Sequence, residues 1–597
     1  MKSPALAIVP APATEPTARP LDAAIHRALS RANGGISPIA LLLGYTDWAL
    51  HWAIAPQHHL EVTADAVRSL VSGLLPRQDA VVEADSRFKD PGWDQWPFRA
   101  WRSGFKAAEG WWNAAAIQDG MSQHDQELVR FYTRQWLDML SPSNAPLTNP
   151  EVLQRMTSTL GTSWLEGLQH CAHDMQLQQQ SRLRAADAPL PALPFVPGKD
   201  VAVTPGKVVF RNRLIEVIHY TPSTATVYPE PVLIVPSCIM KYYILDLSPG
   251  NSMVRYLVSQ GHPVYAISWR NPDESDRDLG LQDYLELGVM DAMRAVRQCS
   301  GASSIHALGY CLGGTFLAMV AAAMGRHEQL HKGRGQGITT SSGALDGLPA
   351  LRSMTLLAAQ TDFSEPGELG VFIDADQLRT LRESMGKKGY MSGPEMAGAF
   401  QFLNARDLIW TRNMRRYLLG EEDTGNDMLS WNADVTRLPE RMHNEYLSTL
   451  FLNNGLAQGH CHVCGMGVAL MDIRMPMLVV GTQRDHVSPW HSVYKIHLQT
   501  DTHTTFILAS GGHNAGIVSE PGHSHRSYQI DSVEAGHGWE EPDDWAARVP
   551  TVEGSWWEAM HDWLDQRSGA RVKVRVKRGA VALCDAPGQY VMTRYAD

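Results

Sequence analysis

The stretch "IHALGYCLGGT", from Ile305 to Thr315, places a cysteine where an apolar, β-branched run gives way to glycines on both sides of residue 311. Glycine at 309, 313 and 314 removes the side chains that would collide in a tight turn from strand to helix, which is the pattern of a nucleophile elbow. A thiol at that turn sits at a helix N-terminus, where the helix dipole favours the thiolate. Cys311 is therefore the candidate nucleophile, and the chemistry is nucleophilic catalysis by a thiolate.

A nucleophile of this kind needs a base, and the base needs an acid to orient it, in the chain order nucleophile, acid, histidine. Asp485 follows the apolar run "MLVVGTQR" and His513 follows "TTFILASGG", so both are expected at strand ends on the same edge as Cys311. His486, beside the acid, is one residue out of phase, and His523 and His525 in "EPGHSHRS" read as solvated loop residues. The oxyanion calls for two backbone N–H groups, one after the nucleophile and one from an earlier strand-end loop; these are assigned to Leu312 and, in "PSCIM", to Ile239. Cys238 in that turn reads as a packing residue.

These side chains need a frame. Beyond a Pro-rich connector, "DAPLPALPFVPGKD", short apolar runs such as "PVLIVPS", "PVYAISWR" and "SIHALGY" alternate with helical segments, which predicts a mostly parallel sheet covered on both faces. Leu281, Leu285, Val289, Met293 and Val296 mark one apolar face of a helix before the elbow. The alternation stops after "RSMTLLAAQTDF" and resumes at "MPMLVVGTQRDHVSPW"; the intervening segment reads as a helical insertion over the carboxyl edge of the sheet. The expected fold is an α/β-hydrolase with a helical cap insertion and an N-terminal helical domain. Its expected divisions are a disordered Pro/Ala tail at 1–20, a helical domain at 21–195, the first part of the core at 196–362, the cap at 363–470 and the second part of the core at 471–597.

Composition narrows the partners. A chain of 597 residues exceeds the usual span of one hydrophobic core, and a formal charge of −11 leaves no electrostatic footprint for nucleic acid. Seven cysteines in so long a chain do not form a secreted disulfide framework, which fits a reducing cytoplasm. Prolines interrupt the N-terminal apolar patch, so no signal peptide is read, and no window supplies the roughly 18 apolar residues of a membrane span. "GHCHVCG" at 459–465 is a lone C-x-x-C without the second ligand pair of a zinc site, and is read as structural. "RVKVRVKRG" is read as a half-buried edge strand with a solvated basic face. The nine tryptophans before residue 195, at helical spacing, are read as core, and "GRGQGITTSSGALDG" as an exposed mobile loop.

With these residues in view the sequence resembles the polyhydroxyalkanoate synthases, most closely the single-subunit class I type. The similar segments are "DSRFKDPGW", "SPSNAPLTNP", the run from "VPSCIM" to "WRNPD", "LGYCLGGT", "WNADVTRLP", "GTQRDHVSPW", "GGHNAG" and the final "APGQYV". "GYCLGG" alone is shared with the much shorter dienelactone hydrolases; the flanking segments separate the two. The resemblance implies a cytoplasmic, homodimeric enzyme on storage granules that polymerises 3-hydroxyacyl-CoA, its partners being that substrate, the growing polyester chain and the granule surface. It places the triad on Cys311, Asp485 and His513, with no cofactor and no metal. Two departures are an extra loop at about 326–348 and a longer histidine motif, "SGGHNAGIVSEPGHSH". Two other readings stay open at this point: a cysteine-dependent hydrolase on the same fold (thioesterase, lactone hydrolase or polymer depolymerase), and a non-catalytic granule-surface protein.

Overall fold

The computed structural model describes residues 37–75, 85–183, 193–332, 343–386, 388–391, 396, 398, 402–403, 405–422, 425–574 and 582–594. The expected tail at 1–20 and most of the predicted mobile loop lie outside them.

Eleven strands form the central sheet: β1 (Gly206–Arg211), β2 (Ile215–Tyr220), β3 (Val232–Val235), β4 (Val264–Trp269), β5 (Ser304–Tyr310), β6 (Ala350–Leu357), β7 (Met477–Thr482), β8 (Thr504–Ala509), β9 (Ser527–Val533), β10 (Thr551–Glu553) and β11 (Cys584–Asp585). Their order is β10-β9-β8-β7-β6-β5-β3-β4-β2-β1-β11. The six that run from β8 to β4 in this order are parallel, and each strand outside them pairs antiparallel with its inner neighbour. The central runs "VLIV", "VYAISW", "MLVVGT" and "TTFILA" are buried throughout, as continuous apolar strands covered on both faces must be. Along β5 the faces alternate: Ile305 and Ala307 join one apolar cluster with Val289 and Phe316, while Leu308 and Tyr310 join the other with Leu257 and Trp556. Because the strands run in parallel, their carboxyl ends share one edge, and the loops that follow β3, β5, β7 and β8 meet there.

The apolar face Leu281, Leu285, Val289, Met293 and Val296 is buried as its spacing predicts. The segment is not a plain α-helix, however: Leu281–Asp283 passes into a π-helical stretch, Tyr284–Met290, before Asp291–Ser300. Successive steps of four residues drift about 40° around an α-helix of 3.6 residues per turn, and the wider π turn takes up part of that drift. The helix presses on the sheet closely here, since a Cβ at Gly288 would lie 2.5 Å from the Trp269 ring.

Every element described before residue 184 is helical: Pro38–Ala53, Pro56–Leu74, Phe98–Ala115, Gln123–Met139, Pro150–Ser158 and Thr162–Leu183, with short 3₁₀ turns. Ser37, Ser122 and Asn149 cap three of them, and proline opens three, as the physics of helix N-termini favours. Trp48, Trp52, Trp111 and Trp112 pack ring on ring and Trp93 is buried, but Trp96 and Trp136 are exposed; the tryptophans are thus only partly core. Leu128, Phe131 and Tyr132 of Gln123–Met139 pack against Val371, Phe372, Phe402 and Leu403, and Asp174 of Thr162–Leu183 binds Arg416 and Tyr417. The inserted segment between β6 and β7 therefore has the N-terminal helices on it as well as the sheet beneath it.

The C-terminal segment returns to the core. Glu216 of β2, fully buried, accepts the N–H groups of Gln589 and Tyr590, and the Lys241 ammonium donates to the Thr593 and Tyr590 carbonyls at 2.6 and 3.3 Å. Of the basic-valine run at 571–579, residues 575–579 lie outside the described residues. Among the described residues, Val572–Lys573 pairs with Thr226–Val227 in a two-residue ladder apart from the central sheet, and Val572 is exposed.

Candidate active site

Cys311 follows β5 directly and precedes the helix Leu312–Lys332. Its φ of 51° is the left-handed conformation that a nucleophile elbow imposes on a non-glycine residue. Its backbone N–H bonds the Leu357 carbonyl of β6 at 2.9 Å, which fixes the turn against the neighbouring strand. The glycines meet their expected purpose. A Cβ at Gly309 would stand 2.4 Å from Gly314 Cα, and one at Gly313 would stand 2.3 and 2.4 Å from the Val235 and Pro236 carbonyl oxygens. The helix thereby lies against the loop that follows β3.

Asp485 lies just beyond β7 and His513 just beyond β8, and they meet: His513 Nδ1 is 2.8 Å from Asp485 Oδ2. The rest of the carboxylate is saturated by Thr482 Oγ1 at 3.0 Å and by the N–H groups of Val487 and Ser488 at 2.9 and 2.8 Å. Burial pushes Asp485 upward, but the His513 charge and these hydrogen bonds outweigh it and hold the acid below its ordinary 3.8. Burial likewise opposes a charge on His513, yet Asp485 and the Cys311 sulfur, through charge and hydrogen bonding, raise it well above its ordinary 6.5. The three predicted side chains are thus brought together, with Asp485 holding Nδ1 and leaving Nε2 for the sulfur.

Their surroundings contain groups that motif reading passed over. Tyr310 Oη donates to Asn514 Oδ1 at 2.6 Å, tying the strand under the elbow to the residue after His513. The phenol of Tyr446, at the end of the cap helix Glu440–Tyr446, is raised by burial and then by the nearby Cys311 and Cys238 sulfurs. No sequence signal marked Tyr446, because "HNEYL" carries no motif and its approach to the elbow depends on how the insertion folds back. Cys238 is buried, and burial first and Cys311 second push its thiol up; it joins the apolar cluster, as the packing reading expects.

Leu312 opens its helix, so its N–H has no carbonyl of that helix to bond. Ile239 differs from expectation: its N–H already faces Ser237 Oγ at 3.3 Å, a long contact that an incoming oxyanion would have to displace. His486 is held through its carbonyl by the Glu368 N–H, and His523 and His525 lie in the exposed loop. The C-x-x-C spans a hairpin, His462–Val463 with Met466–Gly467, whose turn has Cys464 and Gly465 at positive φ, as a two-residue hairpin turn demands. Burial pushes both thiols to about 11, and among the described residues no cluster of three or more His, Cys, Asp or Glu side chains could hold a metal ion. Among them too, no helix is long and apolar enough to cross a membrane.

Comparison with known families matches most of the chain. Residues 84–257 match the poly-beta-hydroxybutyrate polymerase (PhaC) N-terminus, residues 16–58 the poly-beta-hydroxybutyrate polymerase N-terminal segment, and residues 231–520 the alpha/beta hydrolase fold. A poly(3-hydroxyalkanoate) polymerase of Methylorubrum extorquens is 35% identical, covering 90% of this chain and 88% of its own length. The poly(3-hydroxyalkanoate) polymerase subunits PhaC of Rhizobium meliloti and Cupriavidus necator are each 33% identical, over 91% and 85% of this chain and 87% and 83% of theirs. Likeness on that scale runs through the helical N-terminal part and the sheet alike, which a shared hydrolase core would not produce, and the chain belongs to the poly(3-hydroxyalkanoate) polymerase family.

Proposed function

We propose that this enzyme polymerises (R)-3-hydroxyacyl groups from their coenzyme A thioesters, releasing CoA, through an acyl-cysteine on Cys311. The family establishes an acyltransferase that makes polyhydroxyalkanoate; the observation that supports the finer reading is a cysteine at φ 51° beside a histidine already bonded to a saturated carboxylate. His513 takes the Cys311 proton and the sulfur attacks the thioester carbonyl. The C–S bond to CoA breaks, and the CoA sulfur leaves with a proton from His513. A 3-hydroxyl group then attacks the acyl-cysteine, its proton is taken up in the site, and the Cys311–carbonyl bond breaks as the ester forms. Asp485 holds the imidazole tautomer throughout, and the Leu312 N–H is the better placed of the two candidate oxyanion donors. A thiol suits this task because exchange of one thioester for another is nearly balanced and keeps the acyl group activated for the hydroxyl, whereas a serine ester would discard that activation.

Granule association in the cytoplasm and dimerisation belong to the same proposal. The apolar side chains exposed on the N-terminal helices, among them Leu42, Ile54, Leu60 and Trp136, support contact with an apolar polymer surface. The decisive assay incubates purified protein with 3-hydroxybutyryl-CoA and follows free CoA and insoluble polyester together. Both are expected to rise in step; CoA release with only monomeric 3-hydroxybutyrate would favour the hydrolase alternative instead.

A further inference from the structure

One contact between the N-terminal helices and the inserted segment ends at the catalytic acid. Arg134, on the helix Gln123–Met139, donates from Nη1 to Glu368 Oε1 at 2.5 Å. Glu368 belongs to the short turn Gly367–Phe372, whose Val371 and Phe372 pack on Leu128 and Phe131 of the same N-terminal helix. The backbone N–H of Glu368 in turn donates to the His486 carbonyl at 3.1 Å. The turn lies close to that carbonyl, since a Cβ at Gly367, where φ is 69°, would stand 2.6 Å from the His486 oxygen. The other end of the same peptide unit is the Val487 N–H, which donates to Asp485 Oδ1 at 2.9 Å. A peptide unit is planar and stiff. Rotating it enough to lose the Glu368 bond also swings the Val487 N–H away from the carboxylate that orients His513.

We propose that Arg134 and Glu368 are positioning residues for Asp485: the ion pair between the N-terminal helix and the turn Gly367–Phe372 fixes the His486–Val487 peptide plane, and that plane sets the carboxylate against His513. The proposal rests on the reading of Asp485 as the acid of the catalytic triad. It gives the N-terminal helices a part in the chemical step that is separate from any contact with polymer. Glu368 acts through its backbone N–H, which its side-chain pair with Arg134 holds in place. Loss of either charge frees the turn on the side away from the apolar anchor, and the remaining half-buried charge is left without its partner, a costly state that the turn relieves by moving.

The test uses the full-length chain with Arg134→Met, Glu368→Gln, the charge exchange Arg134→Glu with Glu368→Arg, Asp485→Asn, and Asp485→Asn combined with Glu368→Gln. The readouts are CoA release from 3-hydroxybutyryl-CoA, separated into kcat and KM, and the rate of Cys311 alkylation by iodoacetamide followed on its own peptide. Arg134→Met and Glu368→Gln are expected to lower kcat about tenfold or more with KM within about twofold, and the charge exchange to recover most of the loss. Glu368→Gln is expected to cost far less once Asp485 is already Asn, because the two changes act on one carboxylate. Folded single variants with parental kcat overturn the proposal, as do losses that multiply fully in the combined variant. Should the single variants fail to fold, the charge exchange decides: parental kcat supports the pairing, and a folded exchange variant with low kcat overturns it. Asp485→Asn alone keeps the two readings apart, since near-parental CoA release and alkylation in that variant sink the triad reading itself, whereas a large loss there with fully multiplicative Glu368→Gln sinks only the positioning role.

Discussion

Cys311→Ser isolates the chemistry of one sulfur atom. The elbow, the oxyanion donors and the substrate contacts remain, but a hydroxyl is a far poorer anion former than a thiol, and loss of a triad nucleophile leaves only binding and oxyanion stabilisation. CoA release should fall by about a thousandfold or more while circular dichroism and thermal midpoint stay near the parent's. The His513–Asp485 pair also carries a pH signature. His513 is raised above 6.5, so its stabilisation is complete below that pH and is lost as pH rises through the folded value; Asp485 is lowered below 3.8, so its share is complete above that pH and is lost in acid. The stability deficit of His513→Gln in denaturant melts should therefore be largest between about pH 4 and 6.5 and shrink on either side, and a deficit independent of pH would contradict the charged pair. At this scale the sequence was most legible where function compels a fixed offset. Glycines at 309, 313 and 314 and the strand-end positions of Asp485 and His513 could be read directly, while Tyr446, Asn514 and the Ser237 contact to Ile239 depend on where side chains from separate segments come to rest.

Between elements, the clearance at Gly313 is a tight constraint beside the elbow. Its substitution by alanine sets a methyl group within 2.4 Å of two backbone carbonyl oxygens, of the last residue of β3 and the first of the loop after it, and backbone cannot swing aside as a flexible side chain would. The helix Leu312–Lys332 must back away, taking Cys311 with it, and displacements of about 1 Å in an active site cost on the order of a hundredfold in rate. Gly313→Ala should thus lose about that much kcat, with a lowered thermal midpoint as the helix loses contact with the sheet. The paired change Cys461→Ser with Cys464→Ser should be nearly neutral for activity if the C-x-x-C is structural; a large loss together with metal in the parent protein by elemental analysis would reverse that reading. Element types were legible because buried parallel strands are continuous apolar runs and amphipathic helices repeat every three to four residues. The spacing of Leu281, Leu285, Val289 and Met293 was read as one apolar helix face, and the π-helical stretch Tyr284–Met290 was not foreseen, because the tight contact at Gly288 that accompanies it is tertiary.

Across the whole molecule, the arrangement least visible in sequence is the packing of the N-terminal helices on the inserted segment. Its contacts join residues more than two hundred positions apart, such as Arg134 with Glu368 and His170 with Arg416, and no local periodicity encodes such a meeting. Removing residues 1–195 should weaken partition to polymer granules in a sedimentation assay. It should also uncover Phe372, Phe402 and Leu403, so limited proteolysis within 363–470 should be faster in the truncated protein, and equal cleavage rates would show that the helices do not restrain this segment. Residues 590–593 bear on the loop beside the site as well: Lys241, two positions past Ile239 in the loop that follows β3, is held by the carbonyls of Tyr590 and Thr593.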